Sequence, residues 1–175
     1  MDFRDVKEFM KDAMKYIIVI IIVLLLFIFV FSIEQIVGSS MIPTLNDGNI
    51  TILNKLIYNV GKPKRNEIAV IKNKDEHLIK RVVGLPGEKI EYKDNYLYVD
   101  GIKYKETFLS DDIITKDFSL KEIGYDKIPK DMYLVLGDNR GDSLDSREIG
   151  LIKRKNIIGR VSIRFWPLNK IGIVR

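Results

Sequence analysis

Apolar residues run unbroken near the start of the chain and alternate with polar ones further on. From Tyr16 to Ile33 (YIIVIIIVLLLFIFVFSI) the stretch is eighteen residues long, with Ser32 its only strongly polar member. As a helix it would rise about 27 Å, close to the hydrocarbon thickness of a bilayer. A core helix of that length would carry a polar stripe, and this one has none. The run therefore predicts a transmembrane helix over 16–33. A cleaved secretory signal is the rival, since Val37-Gly38-Ser39 offers small residues near a cut. The run is longer than the roughly 7–15 apolar residues such signals use. Upstream, Phe3, Val6, Met10 and Met14 recur at helical spacing, which predicts a short amphipathic arm over 1–15.

Beyond residue 48 the period shortens to two. "NITILNKLIY" alternates and carries β-branched residues, and "EIAVIKN", "HLIKRVVG", "MYLVLGD" and "NIIGRVSIRFW" also read as strands. "KIEYKDNYLYVDGIKY" predicts a meander with turns at Asp94-Asn95 and Asp100-Gly101; Asp-Gly between alternating runs is a strong hairpin signal. Residues 106–131 are less regular and predict a loop or short-helix excursion. The fold class is thus mainly β: one N-terminal transmembrane helix, then one compact antiparallel β domain over 34–175, built as mixed sheets or a distorted barrel.

Charge adds an orientation. Arg4, Lys7, Lys11 and Lys15 precede the apolar run, and the next basic residue after it is Lys55. By the positive-inside rule the N-terminus is cytoplasmic, the anchor lies in the cell membrane, and 34–175 is extracytoplasmic. Asp2, Asp5, Glu8 and Asp12 balance the arm, so the net charge of +5 belongs to the β domain. Its location and the lack of a binding motif speak against nucleic acid as a partner. An anionic lipid surface fits that charge, as does simple solubility. The absence of cysteine excludes disulfides and thiol chemistry, and the single histidine, His77, leaves little room for a His-based metal site.

Three polar features interrupt these patterns. The first is Gly38-Ser39-Ser40-Met41-Ile42-Pro43, two serines between residues that constrain the backbone. The second is Lys80, which on a strand shares a face with Leu78 and Val82. Such a face would desolvate the amine, lower its pKa and let it act as a general base. His77 is the competing base, but it falls on the opposite face and lacks an evident orienting carboxylate. The third is "GDNRGDSLDSREIG", Gly137–Gly150. A calcium loop does not fit it, because Arg140 stands where a ligand should be; a loop braced by Asp–Arg pairs fits better. No metal or other cofactor is expected.

In order along the chain, "GSSMIPTL", "GNITILNKLIY", "IKRVVGLPGE", "GDNRGDSLDSREIG" and "GRVSIRFWPLNKIG" resemble the conserved boxes of type I signal peptidases, in their short Gram-positive form. These are membrane-anchored serine proteases that remove signal peptides from exported proteins. The resemblance implies Ser40, the serine directly before Met-x-Pro, as nucleophile and Lys80 as general base. It implies Ser143 as the hydroxyl that holds the lysine amine, and ion pairs of Arg81 with Asp138 and of Asp145 with Arg147. It implies that Ile36, Met41, Leu45 and Leu78 wall pockets for small side chains at substrate positions −1 and −3. The Ser40 N–H would be one oxyanion donor, and Gly38 stands where some members carry a second, a hydroxyl. Implied partners are exported preproteins with their signal peptides, the lipid bilayer and the secretion translocon. A peptidase dedicated to one pilin or surface protein is a variant of the same reading. An inactive membrane-anchored adaptor and a self-cleaving repressor are rivals; intact Ser40, Lys80 and Ser143 argue against the first, and the anchor against the second.

Overall fold

A computed structural model describes residues 3–174. Helix α1 (Phe3–Val30) joins residues 3–15 of the expected arm to the apolar run as a single helix, and residues 1 and 2 of that arm lie outside the described residues. Its segment Val6–Val30 is long and apolar enough to cross a membrane, and no part of it is buried against the rest of the chain. The helix stops at Val30, before the expected boundary at Ile33. Phe31–Ile33 instead open strand β1 (Phe31–Gln35). The cause is a ready partner: β2 (Ile50–Asn54) pairs antiparallel with β1, Phe31 opposite Asn54 and Ile33 opposite Ile52. Lys55 closes the helix end, its N–H donating to the Val30 carbonyl at 2.9 Å.

After a one-turn helix α2 (Ile57–Val60) come β3 (Ile68–Asn73) and β4 (Glu76–Gly84), which form a hairpin. The meander follows as β5 (Ile90–Lys93), β6 (Tyr96–Val99) and β7 (Ile102–Tyr104). Both expected turns form. Asp94 and Asn95 have φ of 51° and 67°, and Asp100 and Gly101 have 51° and 83°, as a primed hairpin turn requires at its two central residues. The irregular excursion is largely loop. It contains β8 (Phe118–Ser119) and a single 3₁₀ turn, Leu120–Ile123, closed by a Ser119–Glu122 capping box and by Gly124 in the left-handed region. The remaining elements are β9 (Met132–Leu136), the short helix α3 (Ser146–Ile149), β10 (Ile152–Lys153), β11 (Ile157–Trp166), β12 (Gly172–Ile173) and the 3₁₀ turns Arg154–Asn156 and Leu168–Lys170.

The strands make two antiparallel sheets and no closed barrel. The larger runs in the order β1-β2-β11-β3-β4-β9-β10, with β12 added to β11; the smaller runs β7-β6-β5-β8. Alternation along β3 divides the packing, because Ile68 and Val70 join a cluster with Met41, Leu45 and Leu53, while Ala69 and Ile71 join one with Val82, Tyr133 and Val135. A third cluster, including Val83, Tyr92, Leu97 and Phe118, welds the smaller sheet to the ends of β4 and β9. One detail prepares the site. β9 pairs with β4 only along Arg81–Gly84, so Glu76–Lys80 keep an open edge.

Candidate active site

Lys80 sits at the boundary between the paired and open parts of β4. It lies opposite Ala69, which shares an apolar cluster with Leu78 and Val82, and is 2% exposed. Burial holds its pKa below the ordinary lysine value; Asp145 and Asp138 oppose that shift and Arg147 adds to it. No carboxylate among the described residues forms an ion pair with the amine. Its contact is with Ser40: Lys80 Nζ and Ser40 Oγ are hydrogen-bonded at 2.6 Å.

Ser40 stands in a tight turn between β1 and β2. The turn is built by local bonds, Ile42 N–H to the Ser39 carbonyl at 3.1 Å and Leu45 N–H to the Met41 carbonyl at 2.8 Å. Gly38 has φ of 90°, a region that favours glycine, and its N–H donates to Asp47 Oδ1 at 2.8 Å. Ser39 points elsewhere, its hydroxyl donating to Asp142 Oδ2 at 3.0 Å. Among the described residues nothing accepts from the Ser40 N–H, so that donor is available.

The Gly137–Gly150 segment backs this turn. Asn139 N–H donates to the Ser40 carbonyl at 3.1 Å, and Asn139 Nδ2 to the Ser39 carbonyl at 3.2 Å. Arg81 and Asp138, both with fully buried side chains, make a two-point pair at 2.8 and 2.6 Å. Thr44 links that pair to the Ser40 turn, its hydroxyl donating to Asp138 Oδ2 at 2.5 Å. Asp145 binds Arg147 at 2.9 and 2.8 Å and accepts from the Gly137 N–H at 3.0 Å. Burial works to raise the Asp145 pKa, but the hydrogen bonds from Arg147 and Gly137 outweigh it and hold the carboxylate below its usual range.

Ser143 behaves differently from expectation. Its hydroxyl oxygen is buried with no hydrogen-bond partner, so the anticipated bond to the Lys80 amine is not made. The amine is engaged by Ser40 instead. A buried hydroxyl without a partner is costly and uncommon. Its neighbour is Gly137, where an added Cβ would lie 2.1 Å from Ser143 Oγ and 2.4 Å from the Ser40 carbonyl oxygen. Gly137 is thus the shared wall between the two serines.

A cleft of about 110 Å³ lies beside the pair, lined on one side by 34–37 and on the other by 77–80, with Ser40, Met41 and Val70. Of the expected wall residues, Ile36, Met41 and Leu78 line it. Leu45 does not, because it packs in the core, where it is fully buried; Gly38, the expected position of a second oxyanion donor, is not among the lining residues either. Val37, Ile79 and Val70 line it as well, and alternation alone did not single them out. His77 also lines it, exposed, its side chain making no hydrogen bond or ion pair among the described residues. Among those residues no group of three or more His, Asp or Glu side chains could hold a metal ion.

A serine hydroxyl bonded to a buried, carboxylate-free amine is an arrangement for nucleophilic attack. Comparison with known proteins shows the family. The family described as "Signal peptidase, peptidase S26" matches residues 8–166. The chain belongs to the signal peptidase family. The signal peptidase I of Bacillus caldolyticus is 43% identical over 152 residues, covering 82% of this chain and 84% of that protein. The signal peptidase IB of Staphylococcus aureus is 42% identical over 146 residues, 76% of each. A crystal structure of a signal peptidase I from Enterococcus faecalis V583 superposes with a TM-score of 0.54 at 34% identity, covering 58% of this chain and 98% of that one. The family makes this protein a peptidase, and the mainly antiparallel β domain behind one N-terminal apolar helix is the fold its boxes implied.

Proposed function

We propose that the protein is a membrane-anchored serine endopeptidase that removes signal peptides from exported preproteins with a Ser40–Lys80 dyad. The observation that carries this reading is the 2.6 Å contact between Lys80 Nζ and Ser40 Oγ on the rim of a cleft both residues line. A preprotein lays its cleavage region along the open edge of β4 as an added strand. Ile36, Met41 and Leu78 leave room only for small side chains at −1 and −3. Neutral Lys80 takes the Ser40 proton as Ser40 Oγ attacks the scissile carbonyl. The developing oxyanion meets the unengaged Ser40 N–H. Gly38 adds no second donor, having no hydroxyl and an N–H committed to Asp47. Protonated Lys80 then gives its proton to the leaving amine, and the unpartnered Ser143 hydroxyl supplies an acceptor for the charged amine. Water, activated by the same lysine, resolves the acyl-enzyme.

The placement of Lys and Arg supports a cytoplasmic N-terminus and a β domain across the membrane from it, where exported substrates emerge. The experiment compares two neighbours. Ser40→Ala abolishes cleavage of a preprotein, whereas Ser39→Ala, which loses only a bond to Asp142, retains most of it. Equal loss in both, with the fold intact, overturns the assignment.

A further inference from the structure

Two buried arginines lie beside the candidate dyad, and both are contacted by the irregular segment between β7 and β8. Arg81 follows Lys80 directly. In its own plane it is held by Asp138, by the Asn66 carbonyl at 2.7 Å and by Thr44 Oγ1 at 3.3 Å. Its face is covered by Phe108, whose ring centroid lies 3.8 Å from the guanidinium carbon. That is a desolvated cation–π contact, which resists rotation of the planar group out of its slot. Arg140 is 3% exposed. Its Nε donates to the Gly137 carbonyl at 3.0 Å, and its carbonyl accepts from Arg147 Nη1 at 2.9 Å. At its far end Glu106 takes a two-point bond, at 2.7 and 3.1 Å, and Thr115 Oγ1 and the Tyr92 hydroxyl lie at 3.0 Å. Glu106 is the one carboxylate in ion-pair contact with Arg140 among the described residues.

Each contact is one step from the chemistry. Phe108 presses on the residue beside Lys80. Glu106 holds the arginine that grips Gly137, against which the Ser40 carbonyl and Ser143 lie. The segment itself is anchored to the small sheet, since Asn95 Oδ1 accepts from the Thr115 N–H at 2.7 Å and Asp117 Oδ1 from the Asp94 N–H at 2.9 Å. We propose that residues 106–115 form a clamp that aligns Ser40 with Lys80, with Phe108 and Glu106 as its positioning residues. The small sheet, which contributes nothing to the cleft, thereby has a role in the reaction. The proposal rests on the Ser40–Lys80 reading.

The test uses the full chain in detergent with a short peptide substrate, at a temperature well below each variant's melting point. Rates are taken per reactive Ser40, counted from the acylation burst. Phe108→Ala and Glu106→Gln lower kcat about tenfold to a hundredfold, the scale set by an ångström-sized misalignment. KM stays within about twofold, because the cleft residues 34–37 and 77–80 are untouched. Phe108→Tyr, which keeps an aromatic face, restores kcat, and Ile114→Ala, exposed on the same segment, leaves it unchanged. Glu106→Gln is isosteric, so it reports on charge even if Phe108→Ala folds poorly. Wild-type kcat per reactive Ser40 in both Phe108→Ala and Glu106→Gln overturns the clamp while leaving the dyad standing, provided Ser40→Ala is inactive in the same assay. An active Ser40→Ala overturns the dyad, and the clamp with it.

Discussion

Replacing Gly137 by alanine would put a methyl group into occupied space. The new Cβ would stand 2.1 Å from Ser143 Oγ, 2.4 Å from the Ser40 carbonyl oxygen and 2.5 Å from Ser143 Cβ. Ordinary contacts of these kinds are about 3.5–4.0 Å. Something must therefore move by roughly 1 Å or more. Gly137 itself is held on both sides, its N–H by Asp145 and its carbonyl by Arg140, so the serines give way. Ser40 is hydrogen-bonded to Lys80 at 2.6 Å, and an ångström of displacement breaks that alignment. Misplacement on this scale costs about a hundredfold in rate, or about 2.7 kcal/mol of activation free energy. Overpacking also costs about 1–3 kcal/mol of stability. The assay is peptide cleavage by Gly137→Ala, with kcat and KM separated and a thermal melt alongside. A folded variant with kcat within threefold of the parent refutes the reasoning, because the crowding would then have been absorbed without touching the dyad.

Burial depresses the Lys80 pKa, so kcat/KM rises with pH along a limb lying below the value of a free lysine, near 10.4. The same group bears on stability: unfolded Lys80 binds a proton that folded Lys80 resists, so its stabilising effect is lost as pH falls from about 10.4 towards the depressed value. Lys80→Met is accordingly inactive yet melts higher than the parent at pH 7, which calorimetry checks; a lower melting point contradicts the sign. A peptide with Ala at −1 and −3 is cut, and one with Phe at −1 is not, because the cleft of about 110 Å³ is closed by Ile36 and Met41; efficient cutting of the Phe peptide counts against the specificity. In intact cells an external protease reaches the β domain and spares the arm; protection of the β domain inverts the topology.

The parts of the site that could be read from the chain are those written locally. Lys80 stands out through the apolar residues around it, and the hairpin turns through Asp-Asn and Asp-Gly pairs whose positive φ is a property of those residues, whereas the choice of Ser40 over Ser39 rests on the resemblance of its Ser-Met-x-Pro box to the family's. The end of α1 is not legible in the sequence, because Phe31 and Ile33 continue the apolar run and Ser32 alone does not mark a boundary; only the partner strand β2, about twenty residues away, turns them into β1. The resemblance implies Leu45 as a cleft wall, but Leu45 packs in the core cluster with Met41 and Leu53 and is fully buried. Glu106 and Phe108 left no trace in the pattern. Their partners, Arg140 and Arg81, are 34 and 27 residues away, and nothing in a loop composition signals which distant guanidinium it will cover.

Helix α1 passes into β1 without a linker, and only nine residues lie between Val30 and Ser40. A chain advances at most about 3.3–3.6 Å per residue, so Ser40, the proposed nucleophile, stands no more than roughly 35 Å from the helix end. With α1 in a bilayer, the hydroxyl works in a thin slab above it, the same slab into which a signal peptide's own apolar segment delivers its cut site. Confinement then does part of the work of affinity: two partners held in one layer meet at a high effective concentration, and a shallow cleft is enough to select among them. Cutting the chain after Val30 would leave the chemistry intact and forfeit this advantage, which would surface as a raised KM for membrane-bound preproteins and an unaltered one for free peptides.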